Sequence, residues 1–126
     1  MAKAHFQGTF NRGKHEISVG LSLYIWEEDD FTFVYSPALD VTGYGDNEVE
    51  AKKSFEITLS EFVSYTHNKN TIYEELERLG WTVNRKKKRV HAPDMEELIS
   101  DNETFKNLLT KDNVRNESRN VQLAFA

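Results

Sequence analysis

Acidic side chains form the first set of residues whose types and spacing could do chemistry. Four of them stand in a row at Glu27-Glu28-Asp29-Asp30. Carboxylates bind calcium in protein loops, but this spacing matches no EF-hand, and an alternating apolar segment follows directly. The run is therefore interpreted as a solvated hairpin turn, with a cation site as the alternative.

Three more carboxylates, Asp40, Asp46 and Glu56, would suit a two-metal nuclease if the fold brought them together. That reaction needs several carboxylates around ions about 4 Å apart, and nothing in the spacing of these three ensures it. The chain has no cysteine, and no two of its histidines have the helical spacing of metal ligands. No glycine-rich phosphate loop is present. The sequence thus predicts no catalytic, cofactor or metal site.

One basic run, Arg85 to Arg89, could contact nucleic-acid phosphates or an acidic partner. It lies between two short apolar segments, so it is interpreted as the exposed tip of a hairpin. The whole chain is acidic, with a net charge of −5. Because phosphate neutralisation supplies most of the affinity of nucleic-acid binders, we expect no specific nucleic acid among the partners.

These residues need a scaffold, and the first half of the chain predicts an antiparallel meander. Apolar residues alternate from Ile17 to Ile25, which is the period of a strand with one buried face. Phe6 to Phe10 can form a partner strand across a turn at 11–14, and Phe31 to Tyr35 alternates again. Tyr24 and Trp26 fall on the polar face of the first pattern. They indicate either an interface or a second layer under C-terminal helices.

A long helix follows the meander. Asn47 is the predicted N-cap, and Glu50 stands three residues on, where its carboxylate can reach back to the cap amide. One face of this helix carries a stripe that should pack on the sheet, consisting of Ala51, Phe55, Leu59, Phe62 and Val63.

The second half of the chain is predicted to form short helices and strands. A capping box of Thr71 and Glu74 begins a helix that ends at Gly80, and a hairpin spans 81–92. Two more helices are predicted, capped by Asp94 with Glu97 and by Ser100 with Glu103. A loop covers 110–120, and a last strand runs from Val121 to Phe125. We predict one α+β domain over residues 1–126. Residues 1–66 form the meander and long helix, and residues 67–126 form a helical and strand extension.

Over about residues 17–63 the chain resembles the HicB family, the antitoxin half of a bacterial toxin–antitoxin pair. The matching parts occur in the family's order: an acidic turn at 28–30, a strand at 31–35, a proline–leucine stretch at 36–40, a threonine–glycine turn at 41–45 and a helix start at 46–51. Asn47 takes the place usually held by threonine.

The resemblance implies a shortened RNase H-like fold without catalytic carboxylates, which masks a small basic RNA-cleaving toxin. The expected function is therefore non-catalytic protein binding. The alternative is a homo-oligomeric domain without a toxin partner. The exposed acids expected to meet a basic partner are Glu28, Asp29, Asp30, Glu48, Glu56 and Glu61.

The DNA-binding segment of the family has no counterpart here, because residues 94–126 are acidic and show no helix-turn-helix or ribbon-helix-helix pattern. The chain also shows no secretory signal and no apolar run near the length of a membrane span. We expect a cytoplasmic protein without membrane partners.

Overall fold

The computed structural model of the chain describes residues 5–11 and 14–125, with side chains described from 17 to 123. The elements within these ranges confirm the predicted α+β class. In chain order they are β1 (His5–Asn11), β2 (Lys14–Glu28), β3 (Phe31–Ser36), β4 (Val41–Gly45), α1 (Glu48–Asn68), α2 (Ile72–Arg78), β5 (Thr82–Asn84), β6 (Arg89–His91), α3 (Met95–Asp101), α4 (Glu103–Leu108) and β7 (Arg115–Phe125).

The long strand β2 organises a five-stranded antiparallel sheet. β7 pairs with β2 from His15 to Ile25. On the opposite edge of β2, β1 pairs with residues 14–18 and β3 with residues 24–28, and β4 extends the sheet beyond β3. The predicted meander is confirmed. Residues 12 and 13 of the predicted first turn lie outside the described residues.

The inner face of the sheet carries the main core. The odd-numbered residues of β2 from Ile17 to Ile25 are buried with α1 above them. Leu21 and Leu23 belong to the same buried cluster as Phe55 and Leu59, as predicted. α1 lies so close to β4 that a Cβ on Gly43 would stand 2.2 Å from the backbone nitrogen of Phe55. Only glycine permits this approach.

Four helix starts test the predicted caps. The Asn47 carbonyl side chain accepts from the Glu50 backbone N–H at 2.9 Å, which confirms this cap, although Glu50 reaches back to the Asp46 N–H instead of the cap amide. Thr71 makes no side-chain cap hydrogen bond, so that capping box was wrong. The predicted cap at Ser100 was also wrong, because the residue that caps α4 is Asn102. The capping box at Asp94 is present.

Two predicted boundaries differ from the structure. α1 continues through His67 and Asn68, although the meander and long helix were predicted to end at residue 66. β7 begins at Arg115, so most of the predicted loop at 110–120 is strand. The first half of β7 carries polar residues on both faces. Its sequence therefore lacks the alternation of apolar and polar residues that predicts a strand. Gly80 adopts φ +96°, the left-handed conformation expected after a helix end.

The chain after α2 is anchored to both faces of the sheet. Trp81 is buried in the main core, where its indole Nε1–H donates to the Ala38 carbonyl oxygen at 2.7 Å. α3 and α4 then cross to the outer face. None of the helices in the described ranges combines the length and the apolar character needed to cross a membrane.

Candidate functional site

The outer face of the sheet is half covered. Tyr24 and Tyr35 are cross-strand partners on this face, and both are buried. The ring of Phe105 on α4 meets Tyr24 edge-on, with the ring centroids 4.9 Å apart, and Leu108 joins the same cluster. The second-layer interpretation of Tyr24 is thus confirmed: the C-terminal helices pack over it.

A short hydrogen-bond chain fastens this second layer to the sheet. The Tyr35 hydroxyl donates to Asp40 Oδ1 at 2.8 Å and accepts from Asn102 Nδ2 at 2.8 Å. The same Asn102 caps α4 by accepting from the Phe105 N–H at 2.9 Å. Burial raises the pKa of Tyr35 to about 12, and the neighbouring Asp40 carboxylate contributes to this rise. Tyr35 therefore stays neutral across the physiological pH range.

Beyond the helices, the outer face presents a row of aromatic rings. Trp26, Phe33 and Tyr44 lie directly opposite one another on β2, β3 and β4. The rings of Trp26 and Phe33 stack with centroids 5.3 Å apart, and those of Phe33 and Tyr44 are 6.1 Å apart. Phe31 meets Tyr44 edge-on. Tyr44 is 60% exposed and Phe31 41% exposed. These four residues are termed the aromatic row.

The acidic turn adjoins the aromatic row. Asp29 and Asp30 have φ values of 53° and 69°, as the two central residues of a type I′ hairpin turn require, so the predicted hairpin turn is confirmed. Glu28 accepts from the Trp26 indole N–H at 3.3 Å and pairs with Lys111 at 3.1 Å. The hydrogen bonds from Lys111 and Trp26 lower the pKa of the Glu28 carboxyl.

The other predicted interface acids lie elsewhere. Glu48 pairs with Lys52 and with Arg115 of β7, and Glu56 pairs with Arg119 of β7. These two acids therefore face the inner side of the sheet, whereas Glu28 contacts the outer-face residue Trp26. The structure brings together Glu28, Asp29 and Asp30. It does not join them with Glu48, Glu56 and the exposed Glu61 in one surface.

The aromatic row was missed as a site by sequence reasoning, although the chain carries a signal for it. A two-residue turn at Asp29-Asp30 fixes the register of the hairpin, with Glu28 opposite Phe31. Trp26 must then stand opposite Phe33. The alternation of Phe31, Phe33 and Tyr35 predicted the strand, and this register shows that they face away from the main core.

An acidic cavity of about 420 Å³ lies between the β3–β4 turn, the end of α2 and the α3–α4 pair. Asp40, Glu97, Asp101 and Glu103 line it together with Arg78. This lining favours a positively charged group. Within the described part of the chain, no three His, Asp or Glu side chains are grouped closely enough to hold a metal ion.

The carboxylates considered for nuclease chemistry are separated. Asp40 precedes β4 and Asp46 follows it, so the length of a five-residue strand lies between them. Glu56 is paired with Arg119 on the other side of the sheet. Two-metal catalysis requires such groups to converge, and these three do not.

Residues 85–88 of the basic run form the turn between β5 and β6, and Arg89 begins β6, which confirms the interpretation of the run as an exposed hairpin tip. Arg85 bends back onto α2, where its guanidinium pairs with Glu77 at 3.0 Å and lies 5.1 Å from the centre of the Tyr73 ring.

Comparison with protein-family models, curated proteins and solved structures found no match for this chain.

Proposed function

We propose that this chain is a non-catalytic protein-binding domain, similar to a HicB-type antitoxin, which masks a small basic partner with the outer face of its sheet. The observation that carries the proposal is the exposed part of the aromatic row, Phe31 and Tyr44, beside the acidic turn. Exposed apolar patches bordered by polar residues mark interaction sites in soluble proteins. Here the bordering residues include the carboxylates of Asp29 and Asp30, which favour a partner of positive charge.

The two parts of this surface have different tasks. Aromatic faces bind guanidinium and ammonium groups through cation–π contacts and supply the large contact areas of interface hot spots. The carboxylates of Asp29 and Asp30 act at longer range, because rim charges mainly steer the encounter. A small basic protein fits both parts.

The order of elements supports the resemblance to the HicB family. The acidic turn, β3, the turn after Pro37, β4 and the capped helix α1 follow one another in the order that the resemblance implies. The separation of Asp40, Asp46 and Glu56 supports a binding role over hydrolysis of RNA. The RNase H-like topology and the antitoxin role are part of this proposal.

Co-purification from the native cells tests the proposal. The bait is the tagged chain, compared with a Phe31→Ala, Tyr44→Ala double variant of the aromatic row. Tyr65→Ala is the matched control, because Tyr65 is an equally exposed tyrosine, 63% against 60% for Tyr44, but lies on α1. We expect the wild type and the control to retain one short basic chain that the double variant loses. Retention of that chain by all three baits would contradict the proposal.

Association kinetics then separate the charges. Asp30→Asn should slow binding of the retained partner and flatten its dependence on salt, with little change in dissociation. Glu61→Gln removes the same charge from the exposed side of α1 and should leave the association rate unchanged. Equal slowing by both variants would show that net charge, not the acidic turn, steers the partner.

A further inference from the structure

The strand β7 forms one edge of the sheet over eleven residues. It pairs with β2 in continuous register from Arg115 to Phe125, without a bulge. Among the described strands, none pairs with its other edge. Such an edge exposes unpaired backbone N–H and C=O groups and is a template for another strand.

The opposite end of the sheet is protected differently. On β4, the backbone N–H of Tyr44 donates to Ser54 Oγ of α1 at 3.2 Å, so the helix occupies part of that edge. Proline, bulges and unpaired inward charges are further devices that block strand addition. β7 contains no proline.

The inward charges of β7 do not block its edge, because α1 neutralises them. Arg115 pairs with Glu48, Arg119 pairs with Glu56, and Glu117 pairs with Lys52 at 3.0 Å. The residues of β7 on the outer face are uncharged: Asn116, Ser118, Asn120 and Gln122. Strand addition at this edge therefore buries no unmatched charge.

The sequence of β7 is complementary to itself in an antiparallel register centred on Ser118. If two copies pair about a twofold axis at Ser118, Glu117 of each stands opposite Arg119 of the other. Asn116 then stands opposite Asn120. Moving the axis to Glu117 or to Arg119 places that residue opposite its own copy, which puts like charges together. An axis at Asn116 would also pair opposite charges, Arg115 with Glu117, but would overlap only residues 115–117 of the two strands, whereas the axis at Ser118 overlaps residues 115–121. Charge complementarity and strand overlap together thus favour a second copy with its axis at Ser118.

We propose that β7 pairs with β7 of a second copy of this chain about a twofold axis at Ser118, joining the two sheets into one. The aromatic row lies on β2, β3 and β4, so this dimer leaves it accessible. The inference is independent of the proposed function, and either one can fail without the other.

The natural chain contains no cysteine, so single-cysteine variants report this contact without background. Ser118→Cys should form a covalent dimer rapidly on mild oxidation, because the twofold axis brings the two sulfur atoms together. Thr42→Cys is the matched control, an exposed outer-face position on β4, and should stay largely monomeric. Equal cross-linking of the two variants would refute the interface.

The register has its own test. Asn116→Cys and Asn120→Cys chains should each cross-link slowly alone and rapidly when mixed, because residue 116 of one copy faces residue 120 of the other. Faster cross-linking of either variant alone than of the mixture would overturn the axis at Ser118.

Charge repulsion gives a reversible test. Ser118→Lys places like charges opposite each other at the axis and should weaken dimerisation at least about tenfold in sedimentation equilibrium. Thr42→Lys should dimerise as the wild type does. A wild-type chain that is monomeric at high micromolar concentration would overturn the proposal. So would a folded Ser118→Lys variant that dimerises with unchanged affinity.

Discussion

The two faces of the sheet are made from alternate residues of the same strand, β2, yet they are covered by different means. The inner face, from Ile17 to Ile25, lies under the 21-residue helix α1 and belongs to one continuous buried cluster. The outer face is covered only around Tyr24 and Tyr35, by the short helices α3 and α4. Next to them, the aromatic row is only partly covered: Trp26 packs against this cluster, whereas Phe31 and Tyr44 are exposed.

This difference separates stability from recognition. The inner cluster gathers buried residues from β2, β3, α1, α2 and β7, so its loss would unfold the domain. The outer cluster is small, and among the described residues its buried members are Tyr24, Tyr35, Phe105 and Leu108. Elements held by few buried contacts open at lower free energy than the global transition. We expect α3 and α4 to be such elements.

The largest effect should come from the inner face. Phe55→Ala removes a side chain that is only 1% exposed and leaves a cavity between α1 and the sheet. The free energy of unfolding should fall by about 3–5 kcal/mol, as for other large-to-small core substitutions. Urea unfolding followed by far-UV circular dichroism measures it. An unchanged midpoint would show that α1 presents another side to the core.

The corresponding change on the outer face should have a smaller and more local effect. Phe105→Ala should cost about 2–3 kcal/mol, because the edge of this cluster can collapse around the cavity. The two tryptophans report on the two regions: Trp26 packs against the outer cluster and Trp81 belongs to the inner one.

In a Trp81→Phe background, Phe105→Ala should therefore shift the fluorescence of Trp26 towards that of an exposed indole before global unfolding. In a Trp26→Phe background, the emission of Trp81 should change only with global unfolding. If both probes change together in urea, the two clusters unfold as one unit and the comparison fails.

Local signals explain which parts of the fold could be predicted. The period of β2, the Asn47 cap, the capping box at Asp94 and the glycine after α2 each act within a few residues, so the sequence alone indicates them. The only sign of the outer face in the sequence was the presence of two aromatic residues, Tyr24 and Trp26, on the polar face of β2. The partners of Trp26 come from strands whose facing depends on the hairpin register.

The first half of β7 shows what local signals cannot reach. Arg115, Glu117 and Arg119 lie on the inner face, where an apolar residue would be expected. They are stable there because Glu48, Lys52 and Glu56 of α1 meet them. Ion pairs between residues this far apart in the chain produce no alternation of apolar and polar residues in either segment, so the sequence gives no local sign of them. The segment was therefore predicted as a loop.

The buried hydroxyl of Tyr35 on the outer face makes the free energy of unfolding depend on pH. Burial raises the pKa of Tyr35 to about 12 in the folded chain, from an ordinary value of 10. The unfolded chain therefore releases this proton first. The contribution of Tyr35 to stability is complete below pH 10 and is lost as the pH rises towards 12.

The free energy of unfolding should fall by about 1–2 kcal/mol through this one group over that range. Tyr35→Phe is the control: it should lose about 1 kcal/mol at neutral pH with its hydrogen bonds, and should then fall less steeply above pH 10. Urea titrations of both proteins at several alkaline pH values give the difference. Parallel curves would mean that Tyr35 titrates normally and that the second layer does not exclude water from its hydroxyl.

The smallest effect on stability should come from the acidic turn, where the outer face meets solvent. Asp29 and Asp30 both have positive φ, and Asn-Gly is the pair that a type I′ turn favours most. The double substitution Asp29→Asn, Asp30→Gly should therefore raise the free energy of unfolding slightly, by about 0.5 kcal/mol, since relief of backbone strain exceeds the added entropy of glycine in the unfolded chain.

The same variant has lost two charges beside the aromatic row, so it should associate more slowly with a basic partner. Thermal unfolding and association kinetics on one sample check both expectations. A loss of more than about 1 kcal/mol would instead show that these carboxylates hold the hairpin together.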